Sequence, residues 1–445
     1  MAPATKAGPG EQVALGRARA KAYARRKRRY LLLTLALWTG IALLVQWGVL
    51  FYLEHLVTGS GKIQEQDIVI PRKKIGFREE YSLPVRGELG LFSLSYDASY
   101  FAFTDEEGLK VYSLKDEKIV YEWRKDKEPL TYRGDDKKYY EKNPQEYPEG
   151  ARVTYLKWLP DRNMLIYALE WRPSGSGPVN IDLITSDPKG VAKRMVHSFK
   201  GWAKGTRVKD LALSTMTNLV YVLLETPSKK DFLYKVDIMN TMTLLTSGSL
   251  GEIEVASRDG SLYVEVFAGP GRVSINYIAS GSGNVRLLTS TVTGKSYRLL
   301  GTDAEGNLYV GTGDGDIDTV YRAVVERETK SYARKVYVPR DEVYRQETVT
   351  YTTATLHGIE EVFTLPAPAL REKLFVAADG TIALFDWPEK GKVTFFSSFG
   401  VREKELQLED GEWQFMPVNK YICVVNRQGE KYRLVVYDPK QKKEK

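Results

Sequence analysis

Residues 91–124 decide the fold of this chain, and they read LFSLSYDASYFAFTDEEGLKVYSLKDEKIVYEWR. Four short apolar runs, over 91–95, 100–104, 109–114 and 118–124, are separated by turns rich in Asp, Ser, Glu and Gly. Short apolar runs that alternate with such turns are typical of antiparallel hairpins. The stretch therefore predicts one four-stranded antiparallel sheet.

Comparable units recur along the rest of the chain, and they span 153–173, 208–237, 253–278, 296–325, 372–397 and 405–438. Residues 338–366 contain no clean unit, and 270–296 have room for an extra hairpin. One four-stranded sheet cannot bury both of its faces, whereas a closed ring of sheets leaves only short edges exposed. Seven units at a period of roughly 50 residues predict an all-β domain over 85–440, a β-propeller of about seven four-stranded blades. Six and eight blades are the alternatives.

The order of strands and turns resembles the blades of β-propellers of the TolB-like and WD-repeat type. The matching residues are Leu94–Asp97 with Phe101–Phe103, then Leu109–Ser113, and near the C-terminus Arg433–Asp438. The chain has no Trp-Asp dipeptide. The resemblance implies an architecture and does not single out one family or one function.

One uncharged segment near the N-terminus, residues 30–53, reads YLLLTLALWTGIALLVQWGVLFYL. At about 1.5 Å per residue, a helix of this length reaches about 36 Å, which exceeds a hydrocarbon core of about 30 Å. Aromatic residues lie near both ends, as expected for rings at the membrane interfaces. The segment predicts a transmembrane helix. The alternative is a cleavable signal peptide, whose apolar core would be shorter.

The basic cluster Arg25, Arg26, Lys27, Arg28 and Arg29 precedes this helix directly. Lys and Arg are much rarer in the 20 residues that follow it. The side richer in positive charge stays in the cytoplasm, so we expect residues 1–29 inside and the large domain outside. The cluster has an alternative role as an anionic-lipid or nucleic-acid patch.

The net charge of +8 resides in the N-terminal tail, since residues 1–29 hold nine basic residues and one acid. The remaining chain is balanced, so the large domain has no net field to attract phosphates, and we expect no nucleic-acid partner. None of the asparagines begins a glycosylation sequon, which favours a bacterial source.

Residues 125–150, KDKEPLTYRGDDKKYYEKNPQEYPEG, interrupt the repeat. A charged connection of this length is typical of an exposed functional insertion. Its tyrosines offer large contact area and a polar tip, so we expect a partner to contact Tyr132, Tyr139, Tyr140 and Tyr147. Residues 54–84 are interpreted as a stalk with a ring-closing strand over 67–70, and residues 441–445 as a disordered tail.

Catalytic and metal-binding patterns are scarce in the sequence. The three histidines, His55, His197 and His357, stand far apart, and no His-Glu-x-x-His or Gly-x-Ser-x-Gly motif occurs. The single cysteine, Cys423, lies in an apolar run and is expected to be a buried thiol. We therefore predict no catalytic residue, no cofactor and no metal.

These observations predict a single-pass, membrane-anchored, extracytoplasmic β-propeller that binds a protein or a cell-surface polymer without catalysis. Two alternatives stay open. One is an extracytoplasmic hydrolase or lyase, for which close carboxylates with perturbed pKa values in a central pocket would be the evidence. The other is a membrane sensor subunit that relies on a cytoplasmic partner.

Overall fold

A computed structural model describes most of the chain from residue 77 onwards. The described residues are 46, 77–123, 147–148, 150–173, 177–214, 217–237, 241–256, 260–269, 272–279, 284–289, 296–313, 315–338, 343–386 and 389–441. Among them, the side chains of residues 332, 334–338, 343–347, 349–352 and 366 are not described.

Strands account for nearly all of the regular structure in these residues. The first strands in chain order are β1 (Arg78–Leu83), β2 (Phe92–Leu94), β3 (Tyr100–Asp105), β4 (Gly108–Ser113), β5 (Lys118–Trp123), β6 (Arg152–Trp158), β7 (Leu165–Trp171), β8 (Val179–Ser186) and β9 (Lys193–Trp202). They are followed by β10 (Arg207–Ser214), β11 (Leu219–Glu225), β12 (Asp231–Val236), β13 (Met242–Gly248), β14 (Leu250–Val255), β15 (Leu262–Phe267), β16 (Val273–Ile278), β17 (Asn284–Thr289), β18 (Ser296–Thr302) and β19 (Leu308–Gly313). The last are β20 (Ile317–Val338), β21 (Val343–Ala369), a single 3-10 turn (Arg371–Lys373), β22 (Leu374–Val376), β23 (Ile382–Phe385), β24 (Lys392–Phe396), β25 (Arg402–Gln407), β26 (Glu412–Met416), β27 (Tyr421–Gln428) and β28 (Lys431–Tyr437).

These strands form seven antiparallel four-stranded sheets, which confirms the predicted number of blades. Blades one to six take four consecutive strands each, from β2–β5 through β22–β25, and blade seven has the order β26, β27, β28, β1. The first strands of neighbouring blades lie beside one another. They therefore form the inner ring of a propeller, with the fourth strands on the outside.

The first blade shows how local sequence sets this geometry. Its four strands lie within a residue or two of the predicted runs. The turn between β3 and β4 ends at Gly108, whose φ is +136°. A Cβ at that position would stand 2.6 Å from the carbonyl oxygen of Trp123, so a residue without a side chain is needed.

The hydrophobic core is divided into seven clusters, one for each interface between neighbouring blades. Between blades one and two, for example, Leu109 and Trp123 pack with Leu165 and Tyr167. The other six clusters join the remaining neighbours in turn, including blade seven to blade one. Each sheet is thus buried on both faces, which explains the nearly continuous apolar runs of its middle strands.

The ring is closed by β1, which supplies the outer strand of the C-terminal blade. It pairs antiparallel with β28, from Arg78 opposite Tyr437 to Leu83 opposite Tyr432. The closing strand therefore lies within residues 54–84, as expected, but at Arg78–Leu83. The strand predicted over 67–70 lies outside the described residues.

Blade five corrects the sequence analysis most clearly. Residues 338–366, in which no unit was found, belong mainly to β21, a strand of 27 residues that pairs with the 22 residues of β20. Between residues 343 and 366 the described backbone is one continuous strand without a turn, because β20 and β21 are much longer than an ordinary blade strand. Blade five is therefore longer than the repeat of roughly 50 residues, but it is still one four-stranded blade.

The turns alternate between the two faces of the ring, since successive strands run in opposite directions. One face carries the turn between the first and second strands of every blade and the turn between the third and fourth. We call it the N-face, because β1 is a fourth strand and its first residue, Arg78, lies there opposite the end of β28. The long β20–β21 hairpin also leaves the ring on this face.

The predicted transmembrane helix over 30–53 lies outside the described residues, except for Gln46, which is helical. Among the residues that are described, no helix is long and apolar enough to cross a membrane. The basic tail 1–29 and the C-terminal residues 442–445 also lie outside the description.

Candidate functional site

The inner strands of blades two to six carry a group of charged side chains at the centre of the ring. On β6, Lys157 donates a hydrogen bond of 2.7 Å from Nζ to the carbonyl oxygen of Leu211 and lies 3.5 Å from Oδ1 of Asp210. The hydroxyl of Tyr155 donates to the same Oδ1 at 3.0 Å. Burial lowers the pKa of Lys157, but Asp210 outweighs that effect and the pKa is raised. Lys157 therefore stays charged and joins blade two to blade three.

Two carboxylates at alternate positions of β14 face this group. Desolvation at the ring centre raises the pKa of Glu254 to about 7, with Lys157 acting against the rise and Asp210 adding to it. Desolvation also raises the pKa of Glu252, and Arg371 opposes it. Neither side chain forms a hydrogen bond to the described residues. Near neutral pH, a carboxyl group such as Glu254 can give or take a proton.

The charged side chains next to this group form hydrogen bonds, several of them between neighbouring blades. Glu265 on β15 is fully buried and accepts hydrogen bonds from Nε of Arg298, at 3.2 Å, and from the amide nitrogen of Leu299 in blade five. Arg371 donates to the carbonyl oxygens of Leu299 and, at 3.1 Å, of Leu374. These groups satisfy backbone atoms that the ring would otherwise bury without partners.

The described residues at the centre thus offer two carboxyl groups of raised pKa among fixed charges. Within the described part of the chain, no group of three His, Cys, Asp or Glu side chains is placed to hold a metal ion. The sequence did carry a signal for this pair, since charges alternate with apolar residues in LGEIEV of β14. Nothing in that pattern showed that the strand lines the ring centre.

A second feature lies on the N-face, in the turn between β24 and β25 of blade six. Phe399 and Val401 are 74% and 64% exposed, which is unusual for large apolar side chains. The guanidinium group of Arg322, on β20 of blade five, lies 5.8 Å from the centre of the Phe399 ring. Beside it, the rings of Phe363 and Phe396 are stacked at 4.6 Å. An apolar tip with an aromatic base and one cation is therefore presented to the outside.

Hydrogen bonds hold this turn in a single conformation. Ser397 donates from its amide to the carbonyl oxygen of Val401 at 2.8 Å, and its own carbonyl accepts from the amide of Gly400 at 2.9 Å. Its hydroxyl oxygen accepts from the amides of Phe399 and Val401, at 3.3 and 3.1 Å. Gly400 has a φ of +77° and lies against the backbone of Val362. The backbone that carries the exposed side chains is thus pre-organised.

Blades two and three place exposed apolar residues at equivalent positions. Val191, between β8 and β9, is 80% exposed, and Met242, at the start of β13, is also exposed. The sequence analysis missed this set, because a single apolar residue in a turn gives no periodic signal.

The predicted contact tyrosines are only partly described. Tyr132, Tyr139 and Tyr140 lie outside the described residues. Tyr147 is 8% exposed and packs in the core between blades one and two, where its hydroxyl donates to Oδ2 of Asp182 at 3.0 Å. This differs from the expectation of an exposed side chain. The reason is that Asp182 is fully buried and needs donors, of which Tyr147 is one and Trp171 another.

The structure separates the other singled-out residues. His197 lies on β9, with its ring 4.9 Å from that of Phe199, whereas His357 lies on β21 of blade five, 3.2 Å from Glu326. They belong to different blades. Cys423 is fully buried, and burial raises the pKa of its thiol to about 12. Its predicted burial is confirmed.

Seven four-stranded blades, joined through their inner strands and closed by the N-terminal strand, define this chain as a β-propeller protein. A comparison with protein-family models gives no match, and neither does a comparison with the sequences of curated proteins. The structure therefore defines the architecture of the chain, and these two comparisons assign it to no family.

Comparison with solved structures finds similar chains of low sequence identity. The β-propeller domain of Cps50 (Swd1) from Myceliophteria thermophila is 12% identical, with a TM-score of 0.43, over 80% of this chain and 98% of that one. The WD40 domain of SCAP from fission yeast is 11% identical, with a TM-score of 0.40, over 81% and 98%. The dihydro-heme d1 dehydrogenase NirN is 14% identical, with a TM-score of 0.40, over 80% and 65%.

Proposed function

We propose that this chain is a membrane-anchored β-propeller that binds a protein partner outside the cytoplasm through the turn containing Phe399 and Val401. The observation that carries the proposal is this turn, because it exposes two large apolar side chains on a backbone that hydrogen bonds hold in place. A cell-surface polymer is the competing ligand.

The energetics of the turn favour binding. Burying an exposed Phe side chain contributes about 1.5–3 kcal/mol, and a residue that is already ordered loses little conformational entropy on association. Arg322 beside the ring supplies a donor for polar groups at the edge of the same contact. Aromatic residues and arginines are enriched among the residues that dominate protein interfaces.

The anchoring part of the proposal is supported by the sequence. The uncharged segment 30–53 is long enough to span a bilayer, and the cluster Arg25–Arg29 gives its orientation. Residues 54–77 connect that segment to β1, which begins on the N-face. The Phe399 turn lies on the same face.

Partner binding is tested with the double substitution Phe399→Ser and Val401→Ser in the full-length chain. Cross-linked partners are compared with those of the unchanged chain and of Val191→Ser, a matched control at the equivalent turn of blade two. We expect loss of one partner in the double variant and its retention in the control. Equal recovery of every partner in all three samples would show that the Phe399 turn does not bind the partner.

Topology is tested separately with single cysteines, because Cys423 is fully buried and gives no background labelling. Ser228→Cys, in an exposed turn of blade three, should react in intact cells with a membrane-impermeant maleimide. Ala14→Cys, in the basic tail, should react only after lysis. Labelling of both or neither in intact cells would contradict the orientation, and release by alkaline carbonate would contradict the anchor. The proposal that the Phe399 turn binds a partner does not depend on either result.

A second function, a hydrolase or lyase acting at the ring centre, is favoured by the raised pKa values of Glu252 and Glu254. A general acid needs such a pKa near the working pH. The test is turnover of peptide and polysaccharide substrates by the unchanged chain and by Glu254→Gln. Activity that Glu254→Gln abolishes would support this function, and no turnover by the unchanged chain would exclude it for those substrates.

A further inference from the structure

The β20–β21 hairpin extends beyond the ring as a two-stranded ribbon. The second-to-third strand pairing of blade five ends where Leu308 of β19 meets Ala323 of β20. Beyond that point β20 pairs only with β21, from Val324 opposite Gly358 to Val338 opposite Val343. The projecting part, which we call the ribbon, comprises residues 328–338 and 343–353. At about 3.3 Å per residue, its strands are about 36 Å long.

A ribbon of this kind is incomplete by itself. Two strands are marginally stable in water, and three or more are needed for independent stability. The base of the ribbon is held, because Val325 and Ala354 are buried against blade four and Arg327 donates to the carbonyl oxygen of Gly306. Further out, Thr353 is half-buried and the other described side chains are exposed, namely Glu328, Thr329, Lys330, Ser331, Ala333 and Thr348. Another strand would therefore stabilise the ribbon.

The two edges of the ribbon differ in charge. The β20 strand carries Glu328, Lys330, Arg334 and Lys335 between residues 328 and 338. Charged residues, Lys above all, protect exposed edges against pairing. By contrast, the β21 strand of the ribbon carries two charged residues, Arg345 and Glu347, and the run 348–356 that follows them, TVTYTTATL, contains no charge, no Pro and no Gly. Such a run of β-branched and aromatic residues has a high propensity to pair. Within the described residues, β21 has no strand on its outer edge.

We propose that two copies of this chain associate through the outer edges of their β21 strands, antiparallel about a two-fold axis, to form a four-stranded sheet from two ribbons. This goes beyond the proposed function and depends neither on the anchor nor on the Phe399 turn. The occupant is a second copy because the uncharged run 348–356 can lie at the centre of the contact, where it meets its own copy without the like-charge repulsion that identical charged edges create.

The sequence also indicates the register. With Thr350 on the axis, Thr348 lies opposite Thr352 of the second copy, and Glu347 and Arg345 lie opposite Thr353 and Thr355. No two like charges then face each other. A two-fold axis perpendicular to an antiparallel pair brings one residue opposite its own copy, and the Cα atoms of such a pair are about 4.5–5.5 Å apart.

That distance allows a disulfide, which gives the first test. Thr350→Cys is introduced into the full-length chain, in which buried Cys423 is the only other cysteine. We expect a disulfide-linked dimer on a non-reducing gel after mild oxidation. Thr348→Cys should cross-link less, because its copy lies four residues along the strand, and Ser228→Cys on blade three is the distant control. Equal cross-linking of all three variants, or none at Thr350→Cys, would overturn the proposal.

A charge pair provides the second test. In the proposed register, Thr348→Lys with Thr352→Lys places like charges opposite each other at two positions, whereas Thr348→Lys with Thr352→Glu places opposite charges there. Both variants keep the same anchor and the same fold of the ring. We expect light scattering in detergent to show a monomer for the Lys/Lys variant and a dimer for the unchanged chain and the Lys/Glu variant. A monomeric unchanged chain, or a dimeric Lys/Lys variant, would show that another partner or none occupies this edge.

Discussion

Arg78, the first residue of β1, lies directly opposite Tyr437, the last residue of β28. The N-terminal and C-terminal ends of the ring are thus joined by one pair of strands, β1 and β28, over six residue pairs. The cluster between blades seven and one includes Tyr81 and Leu83 of β1, which are both buried. Ring closure therefore depends on a strand that is remote in sequence from the blade it completes.

Removal of β1 should open the ring. A chain that begins at residue 85 would leave β28 as an unpaired edge and expose its apolar neighbours, so we expect aggregation or a broad, weakly cooperative thermal transition. A chain that begins at Lys73 retains β1 and is the control. Size-exclusion chromatography and thermal unfolding compare the two. Identical sharp transitions would show that β1 is dispensable for closure.

Tyr147→Phe should destabilise the interface between blades one and two. It removes one of the donors to Asp182, whose pKa burial already raises, and leaves a buried carboxyl less satisfied. We expect the unfolding free energy to fall by about 1–3 kcal/mol in urea titrations. The effect should shrink in an Asp182→Asn background, since the lost bond then involves no charge. An undiminished effect in that background would assign the loss to packing alone.

Glu254→Gln should change the pH dependence of stability. The carboxyl pKa is raised from 4.5 to about 7 in the folded chain, so folding retains a proton that the unfolded chain releases between those values. Its contribution to stability is complete below about pH 4.5 and is lost as the pH rises through about 7. The unchanged chain should therefore lose more unfolding free energy than Glu254→Gln between pH 5 and 8, on the order of 1–2 kcal/mol after allowance for partial exposure. Parallel urea midpoints over that range would contradict the raised pKa.

Gly400→Ala should displace the Phe399 turn. An added Cβ would lie 2.6 Å from the carbonyl oxygen of Val362, and the φ of +77° is itself unfavourable for alanine. The control is Gly429→Ala, which has a φ of +63° but no heavy atom within 4 Å of the added Cβ. A left-handed conformation costs alanine about 1–2 kcal/mol at either site. We expect thermal unfolding to show an additional loss for Gly400→Ala, and pull-downs to show weaker partner binding for that variant alone.

Much of this architecture is readable from the local sequence. The strands of blade one follow directly from residues 91–124, because short apolar runs and Gly or Asp turns act within a few residues of one another. The number of blades follows from counting such units. Cys423 could be placed in the core from its apolar neighbours alone.

Other features have no local signal. Tyr147 was expected at the surface because its segment is charged, yet the demand of Asp182, 35 residues away, holds it in the core. The span of β21 was not recognised, since a 27-residue strand lacks the turns by which hairpins are found. Phe399 lies just outside the predicted unit 372–397, and a single apolar residue in a turn gives no periodic signal.

The sequence by itself determined the fold class, the repeat, the uncharged segment over 30–53 and the concentration of net positive charge in residues 1–29, because each depends on residues close together in the chain. Only the tertiary structure decided that β1 completes blade seven, that Glu254 faces Lys157 at the ring centre, and that β20 and β21 continue beyond the ring. These relationships depend on which distant segments become neighbours, and a closed ring fixes that through the packing of all seven interfaces together.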